Sequence, residues 1–176
     1  MSDTLLTITG VTFPPGAARA LKENLSPIQS GEVARDMSGN LVAIDLDGFD
    51  KMALNISAAS QLCQPAWGGL KLGDQVTVTP ATELTDVIST GQDNVTLSRD
   101  PVSGSVRAVT LDEDGCASPV SIDSVAGRVL TLTASATETV YIFWRASLTM
   151  LCTTPPPSNF SEWQAELGWS VGFEEV

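Results

Sequence analysis

The sequence predicts an all-β fold: a single antiparallel β-sandwich or barrel-like domain over residues 1–176, with at most one or two short helices. Two long stretches of alternating apolar and polar residues near the C-terminus are the first reason. The second is a composition in which Val and Thr are prominent, because β-branched side chains fit a pleated sheet and lose rotamer freedom in a helix. The third is a series of short apolar segments, separated at roughly eight-to-twelve-residue intervals by turns rich in Asp, Pro, Gly and Ser.

Residues 139–176 are predicted to form a pair of long strands around a proline-rich crossing. Every second position of the first strand is apolar: Val140, Ile142, Trp144, Ala146, Leu148 and Met150. The second strand repeats this pattern at Ala165, Leu167, Trp169, Val171 and Phe173. Because the first strand is apolar on both faces at its start, we expect it to lie in the centre of a sheet. The same patterns predict that Trp144 and Trp169 pack in the core.

The beginning of the chain gives weaker signals. Residues 1–16 are predicted to be an N-terminal arm or an edge strand that ends at a Pro-Pro-Gly turn. Ala17–Asn24 is the only plausible early helix, and a helix this short depends on tertiary packing to persist. Val33–Met37 and Leu41–Leu46 are predicted to form a hairpin closed by a Ser-Gly-Asn turn.

The middle of the chain alternates between strand and loop patterns. Phe49–Ser57 and Gln75–Pro80 have the alternation of strands. Between them, Ala58–Leu70 is predicted to be a structured loop with Trp67 packed as its anchor. The polar region 91–135 is built of short strands and turns, and it can project from the main sheet as a hairpin region.

The charge of the chain disfavours two classes of partner. The net charge is −12 and only nine residues are Lys or Arg, whereas phosphate binding needs clustered basic side chains. We therefore expect no nucleic-acid partner and no binding to anionic membranes. The N-terminus lacks a basic region, and apolar runs are shorter than the roughly 18 residues of a membrane span. These features predict a chain that folds in a cytosol and does not insert into a membrane.

Catalytic chemistry has little support in the sequence. No histidine is present, so neither Ser-His-Asp nor Cys-His catalysis is possible within the chain. A pair drawn from the carboxylates Asp45, Glu83, Asp86 and Glu166 is conceivable for glycoside cleavage, but no spacing pairs any two of them. No phosphate-cradling glycine loop is found. We therefore expect a non-enzymatic protein without a cofactor.

Metal binding is also weakly indicated. Residues 45–50 (DLDGFD) resemble the start of an EF-hand loop, but Ile56 stands where that loop needs a bidentate Glu. The acidic segment 112–115 (DEDG) has the same character, and both are predicted to be turns without a metal. Three cysteines far apart in the sequence, Cys63, Cys116 and Cys152, fit free thiols better than disulfides or a zinc site.

Aromatic side chains outside the predicted core are candidates for an interface. Proline rigidity would present the segment 155–163 to a partner at a low entropy cost. The interface candidates are Pro155, Pro156, Pro157, Phe160, Trp163 and Trp67. The N-terminal arm 1–16 is a further candidate, and the closing residues 174–176 are predicted to leave a strand edge that a partner could extend. Exposed Trp side chains could alternatively form a platform that stacks on sugars.

Three segments carry a resemblance to a known family. They are residues 67–78 (WGGLKLGDQVTV), residues 143–150 (FWRASLTM) and residues 162–171 (EWQAELGWSV) with the closing EEV. Their order is similar to "G-L-x-x-G-D-x-V-T-V", "F-Y-R-P-x-L-T-M" and "E-W-x-A-x-x-x-W-x-L-x-L-E-E" in small structural proteins of the tail tip (minor tail proteins) of long-tailed bacteriophages. Trp144 and Ala146 stand where Tyr and Pro are usual in that family. The resemblance covers about residues 33–89 and 139–176.

The resemblance implies a structural role without catalysis. It implies a tail-tip or baseplate subunit of the virion, assembled in the host cytoplasm. Such a subunit would form a ring or another symmetric oligomer with itself and contact the tail tube, hub or fibre. Two alternatives remain open at this point: a capsid decoration (cement) protein, and a host receptor- or glycan-binding module at the tail tip.

Overall fold

The computed structural model describes residues 4–28, 31–44, 50–112, 114–157, 159–161 and 166–176. Over these ranges the chain is all-β, with strands and no helix, and hence no helix that could cross a membrane. The strands are β1 (Thr7–Ile8), β2 (Lys22–Pro27), β3 (Glu32–Arg35), β4 (Leu41–Ile44), β5 (Met52–Gln61), β6 (Gln75–Thr79), β7 (Leu84–Ile88), β8 (Asn94–Thr96), β9 (Arg107–Leu111), β10 (Ala117–Val120), β11 (Ile122–Ala126), β12 (Val129–Leu132), β13 (Val140–Trp144), β14 (Leu148–Thr154), β15 (Asn159–Ser161) and β16 (Glu166–Glu175).

The strands form antiparallel sheets of different sizes. The largest has seven strands in the order β1-β6-β14-β16-β5-β2, with β15 pairing to β16, and it curls into half a barrel. A four-stranded sheet has the order β10-β9-β13-β7, a three-stranded sheet has the order β11-β12-β8, and β3 and β4 form a separate hairpin. The predicted fold class is confirmed, and so is the predicted hairpin, whose strands pair Glu32 with Ile44 and Arg35 with Leu41.

The predicted first C-terminal strand is divided between two sheets. β13 belongs to the four-stranded sheet and β14 to the seven-stranded sheet. The chain passes from one to the other at residues 145–147, where Ala146 forms an isolated bridge to Pro101. The predicted inward stripe nevertheless continues through this crossing, because all its members from Val140 to Met150 are buried. A strand that turns a corner in this way lets two sheets share one core.

The two core tryptophans are buried as predicted. Trp144 is fully buried, and its indole Nε1–H donates to Asp86 Oδ2 at 2.8 Å. Trp169 lies in β16, and its Nε1–H donates to the carbonyl oxygen of Ala17 at 2.8 Å. Both polar groups of these large side chains are therefore satisfied, which removes the cost of burying an unpaired donor.

The predicted early helix is wrong. Residues 17–20 form turns, and Ala20 has a φ of 49°, which a right-handed helix does not allow. From Lys22 the chain is a strand, β2, paired with β5 from Lys22↔Ser57 to Pro27↔Met52. Helix propensity over eight residues is a weak preference, and the pairing along β5 outweighs it.

The described part of the predicted N-terminal arm, residues 4–16, is an edge strand with its flanking turns. β1 pairs with β6, and the side chains of Leu6, Ile8 and Phe13 are buried in the core of the same chain. These three side chains are therefore used within the chain, whereas Leu5 is 64% exposed, and the expected contact of this segment with a neighbouring subunit stays a prediction.

The predicted free strand edge at residues 174–176 is also wrong. β16 lies between β14 and β5, so both of its edges are paired. Its end is held further by Lys51 Nζ, which donates to the Val176 carbonyl oxygen at 2.6 Å. The outermost strands of this sheet are β1 and β2.

Region 91–135 is divided between two sheets. β9 pairs with β13 and β10 within the four-stranded sheet, while β8, β11 and β12 form the three-stranded sheet. Both parts contribute to the core, because Leu97, Ala108 and Leu130 are buried.

Candidate interaction surfaces

The predicted segment 155–163 turns back onto its own sheet. Pro155, Pro156 and Pro157 follow β14 and are exposed or half-buried. Phe160 is the middle residue of β15, and its register partner in β16 is Leu167. Trp163 lies outside the described residues. The segment therefore includes a strand of the seven-stranded sheet, and its predicted interface role stays a prediction.

Trp67 packs as the anchor of its loop. Its ring makes edge-to-face contacts with Phe13 and Trp169, with centroid distances of 6.4 and 5.1 Å. The loop is tied to the N-terminal segment by two backbone hydrogen bonds between Thr12 and Ala66, at 3.0 and 2.9 Å. Because much of the half-buried ring contacts its own chain, Trp67 has limited surface for a partner.

The candidate catalytic and metal-binding carboxylates have structural partners. Glu83 pairs with Arg107 at 2.6 Å, and Asp86 accepts the Trp144 indole proton. Asp112 Oδ1 accepts hydrogen bonds from two backbone N–H groups of its own turn, at 3.1 and 2.7 Å. The second acidic segment is thus a turn, as predicted. Asp45 and the rest of the EF-hand-like segment up to residue 49 lie outside the described residues.

The cysteines and Glu166 are the remaining candidate residues. Cys63, Cys116 and Cys152 are free thiols, as predicted, and burial together with the nearby Asp74 charge raises the pKa of Cys152. Glu166 is the first residue of β16. Within the described ranges, no group of three or more Cys, Asp or Glu side chains is arranged to hold a metal ion.

The outer surface of the four-stranded sheet contains an apolar row across its whole width, next to a row in which Phe143 lies between Thr85 and Arg107. We call it the apolar face. One row crosses all four strands in register: Val87, Tyr141, Val109 and Pro119. Val87 and Pro119 are exposed and the other two are half-buried, whereas the alternate residues Val140, Ile142 and Trp144 face the core. A contiguous apolar surface of this kind typically marks an interaction site.

The charges on the apolar face neutralise one another. Phe143 lies in the row beside Tyr141, and the Arg107 guanidinium stacks over its ring at 4.6 Å from the centroid. The same guanidinium pairs with Glu83, and this hydrogen bond raises the pKa of Arg107. Leu111, exposed at the end of β9, extends the apolar surface towards the acidic turn of residues 112–115.

The β3–β4 hairpin is a second unpartnered apolar surface. In the part of the chain that the structure describes, its strands pair only with each other. Its exposed apolar side chains are Val33, Met37, Leu41 and Val42. The turn is well ordered by Asp36, whose carboxylate accepts hydrogen bonds from Asn40 and Ser38 and consequently has a lowered pKa.

The outer surface of the seven-stranded sheet has the opposite character. Polar side chains predominate on it, with the partly exposed Leu151 among them: Thr7, Lys22, Asn24, Asn55, Ser57, Thr77, Thr79, Thr149, Thr154 and Ser170. Gly172 lies in the middle, where an added Cβ would come within 3.1 Å of Asn55 Oδ1. Around it is an open groove of about 220 Å³, lined by Asn24, Asn55, Ser57 and Ser170 among others.

The apolar face was not predicted as a site. The sequence indicated that Tyr141 and Phe143 occupy the second face of their strand, but the neighbours that complete the row come from strands 22 to 54 residues away. Only the alternation within each strand is visible locally.

The described residues form an all-β domain with two exposed apolar surfaces, the apolar face and the β3–β4 hairpin. Comparison with models of protein families and with curated proteins finds no match.

Proposed function

We propose that this chain is a non-enzymatic structural protein of a bacteriophage virion, a tail-tip or baseplate subunit that acts through protein–protein assembly. The observation that carries the assembly role is the apolar face, since monomeric proteins rarely leave a contiguous apolar surface uncovered. The virion assignment comes from the three segments that resemble minor tail proteins. The proposed partners are other copies of the chain and the tail tube, hub or fibre.

The arrangement of the resembling segments supports the assignment. They are far apart in the sequence, yet β6, β14 and β16 are successive neighbours in the seven-stranded sheet. The Gly-Asp turn before β6 is also joined to β14, because Gly73 N–H donates to the Cys152 carbonyl oxygen at 2.8 Å and Cys152 N–H donates to that of Asp74 at 2.9 Å. Because the three segments lie side by side in one sheet, we expect their residue types and their order along the chain to be retained together.

The charge distribution supports assembly as well. Repulsion among chains of net charge −12 disfavours contact through most of their surface. The apolar face, where Arg107 and Glu83 neutralise each other, avoids this repulsion. The acidic remainder suits a more basic virion partner, since complementary potentials increase association rates.

The test is to locate the chain in purified phage particles. Antibodies against the folded protein, detected by gold labelling in the electron microscope, should mark the distal end of the tail. Mass spectrometry of separated heads and tails should find the chain in the tail fraction. Labelling of purified tail-less heads would instead favour a capsid decoration protein, and absence from both fractions would reject the virion assignment.

A host glycan-binding module is the second candidate, and the polar groove on the seven-stranded sheet favours it. Amide and hydroxyl side chains such as Asn24, Asn55 and Ser57 can hydrogen-bond sugar hydroxyls. Titration of host surface polysaccharide, followed by the backbone amide NMR signals around Gly172, tests this candidate. Saturable shifts that Asn55→Ala weakens, with Thr77→Ala on the same surface as the control, would support it.

A further inference from the structure

Few contacts support the β3–β4 hairpin in the part of the chain that the structure describes. Two-stranded hairpins are marginally stable in water unless a third strand or a packing surface supports them. No third described strand pairs with this hairpin, and three of its apolar side chains are exposed: Val33 at 59%, Leu41 at 65% and Val42 at 44%. An external surface that covers these side chains would therefore stabilise the hairpin.

One side of the hairpin is suited to packing on an apolar sheet. The register pairs Arg35 with Leu41, so the side chains of Val33, Arg35 and Leu41 point to the same side. Four paired residues extend over about 13 Å. Met37 in the turn is fully exposed and lengthens the apolar surface at one end.

The apolar face has matching dimensions. Its row from Val87 to Pro119 crosses four strands, which at the usual strand spacing is about 14 Å. Among the residues that the structure describes, the hairpin and the apolar face do not cover each other: the hairpin pairs with no other described strand, and Val87 remains 47% exposed. These residues thus form a hairpin surface and a sheet surface of similar length, each with exposed apolar side chains.

Charge favours the same pairing. Arg35 projects on the Val33–Leu41 side of the hairpin, and its guanidinium donates to the Gly39 carbonyl oxygen. The apolar face ends next to Asp112 and Asp114, exposed carboxylates of the acidic turn. Hydrogen bonds engage the Asp36 carboxylate in the turn of the hairpin, and they engage Asp112 in the acidic turn in the same way. Arg35 is therefore the cation of the docking side, and Asp114 is the carboxylate of the acidic rim that it would face.

We infer that the β3–β4 hairpin of one copy docks on the apolar face of the next copy. Such a contact joins two different surfaces, so each added copy leaves one hairpin and one face free until the chain of copies closes into a ring. The inference rests on the proposed function, for which it names the partner and the contact. The seven-stranded sheet, with its small polar side chains, stays outside the contact.

The experiment is size-exclusion chromatography with light scattering on the full chain at about 1–100 μM, in low salt. Wild type is expected to be a discrete oligomer. Val33→Ser with Leu41→Ser removes the hairpin surface, and Val87→Lys disrupts the apolar face. Both variants are expected to be monomers. Matched controls are Leu72→Ser, at a residue 69% exposed, and Val129→Lys, at a residue 42% exposed, and both should stay oligomeric.

Mixing the two variants gives the sharpest result. Each retains one intact surface, so an equal mixture should form dimers and no larger species. A face that packs on itself would leave the hairpin variant oligomeric, and that result would overturn the inference. A monomeric wild type at 100 μM would also overturn it, as would a mixture that does not associate.

Arg35→Glu is a further variant that keeps every apolar side chain of the hairpin. It also removes the hydrogen bond to the Gly39 carbonyl oxygen, so Arg35→Gln is the control that loses the charge and this donor geometry without adding a carboxylate. Arg35→Glu should weaken association at least tenfold in low salt, and identical association would contradict the docking orientation.

The particle experiment distinguishes the docking inference from the virion assignment. A tail-located chain that is monomeric in solution rejects only the docking, whereas an oligomer absent from particles rejects only the virion assignment.

Discussion

The two largest sheets share one core but have opposite outer surfaces. On the four-stranded sheet most outward side chains are apolar, including Tyr141, Val87 and Val109, although Thr85 and Arg107 flank Phe143. On the seven-stranded sheet they are mostly Thr, Ser and Asn. The same stretch of chain contributes to both, because β13 and β14 are consecutive and follow one inward stripe. Burial in the core therefore determines the residue types on only one side of each strand. The residue types on the other side can differ between the two sheets according to function.

The crossing at residues 145–147 separates the two kinds of surface. Before it the outward residues are aromatic, and after it they are Thr149, the partly exposed Leu151 and Thr154. Ser147 N–H donates to the Asp100 carbonyl oxygen at 2.8 Å and Val102 N–H to that of Arg145 at 2.8 Å, so the crossing is held by the loop before β9. A change of sheet, and not a change in the apolar pattern, divides assembly surface from polar surface.

The largest effect is expected from Trp144→Ala, which removes a fully buried ring next to the crossing. Loss of packing and a cavity should cost about 3–5 kcal/mol, with an additional penalty because Asp86 loses its donor. Urea unfolding followed by circular dichroism measures this cost. If both sheets depend on one core, they should unfold in a single transition. Two separate transitions in the wild type would contradict the shared core.

Much of the core could be predicted from the sequence, but the surfaces could not. Alternation identified Trp144, Trp169 and Phe173 as buried, because burial on one side of a strand is a local pattern. Alternation does not specify hydrogen-bonding partners, so the change of sheet after Trp144 was missed. Ala17–Asn24 had a weak helical pattern that pairing to β5 overrides. The apolar face depends on the same nonlocal register.

The next largest effect is expected from Arg99→Ala, which tests how the end of β16 is held. The Arg99 guanidinium donates to both carboxylate oxygens of Glu175, at 2.7 and 3.0 Å, and these side chains are only 11% and 12% exposed. Removal leaves a nearly buried carboxylate without its cation and should cost about 3 kcal/mol. Thermal unfolding measures the loss.

Arg99→Lys is the control for the geometry of this pair. Lysine keeps the charge but lacks the planar fork that binds both oxygens, so it should restore only part of the stability. Full restoration would show that charge alone holds the strand end. Neither variant should alter the apolar face, and the oligomeric state should therefore stay unchanged.

A smaller effect is expected from exchanging the character of the two outer surfaces. Tyr141→Thr makes the apolar face resemble the seven-stranded sheet, and Thr77→Val makes the reverse change. Because both residues lie at the surface, each change should alter the free energy of unfolding by about 1 kcal/mol or less. Dye binding is measured in the monomeric Val33→Ser and Leu41→Ser background, in which the apolar face is uncovered. Binding of a hydrophobic dye should fall for Tyr141→Thr and change little for Thr77→Val. Equal dye binding with and without Tyr141→Thr would contradict the difference in character between the two surfaces.

The smallest effect concerns Asp50, which Arg99 also contacts. Hydrogen bonding and charge from Arg99 hold the pKa of the Asp50 carboxyl below its usual value. A lowered folded-state pKa contributes stability that is present above the unfolded-state pKa, near 3.9, and is lost as pH falls through the folded-state value. Asp50→Asn should therefore flatten the decrease in stability below about pH 4. The carboxylate is largely exposed, so salt at about 1 M should weaken the difference between wild type and variant. A pH profile that Asp50→Asn leaves unchanged at low salt would contradict the stabilising role of the Asp50 carboxylate.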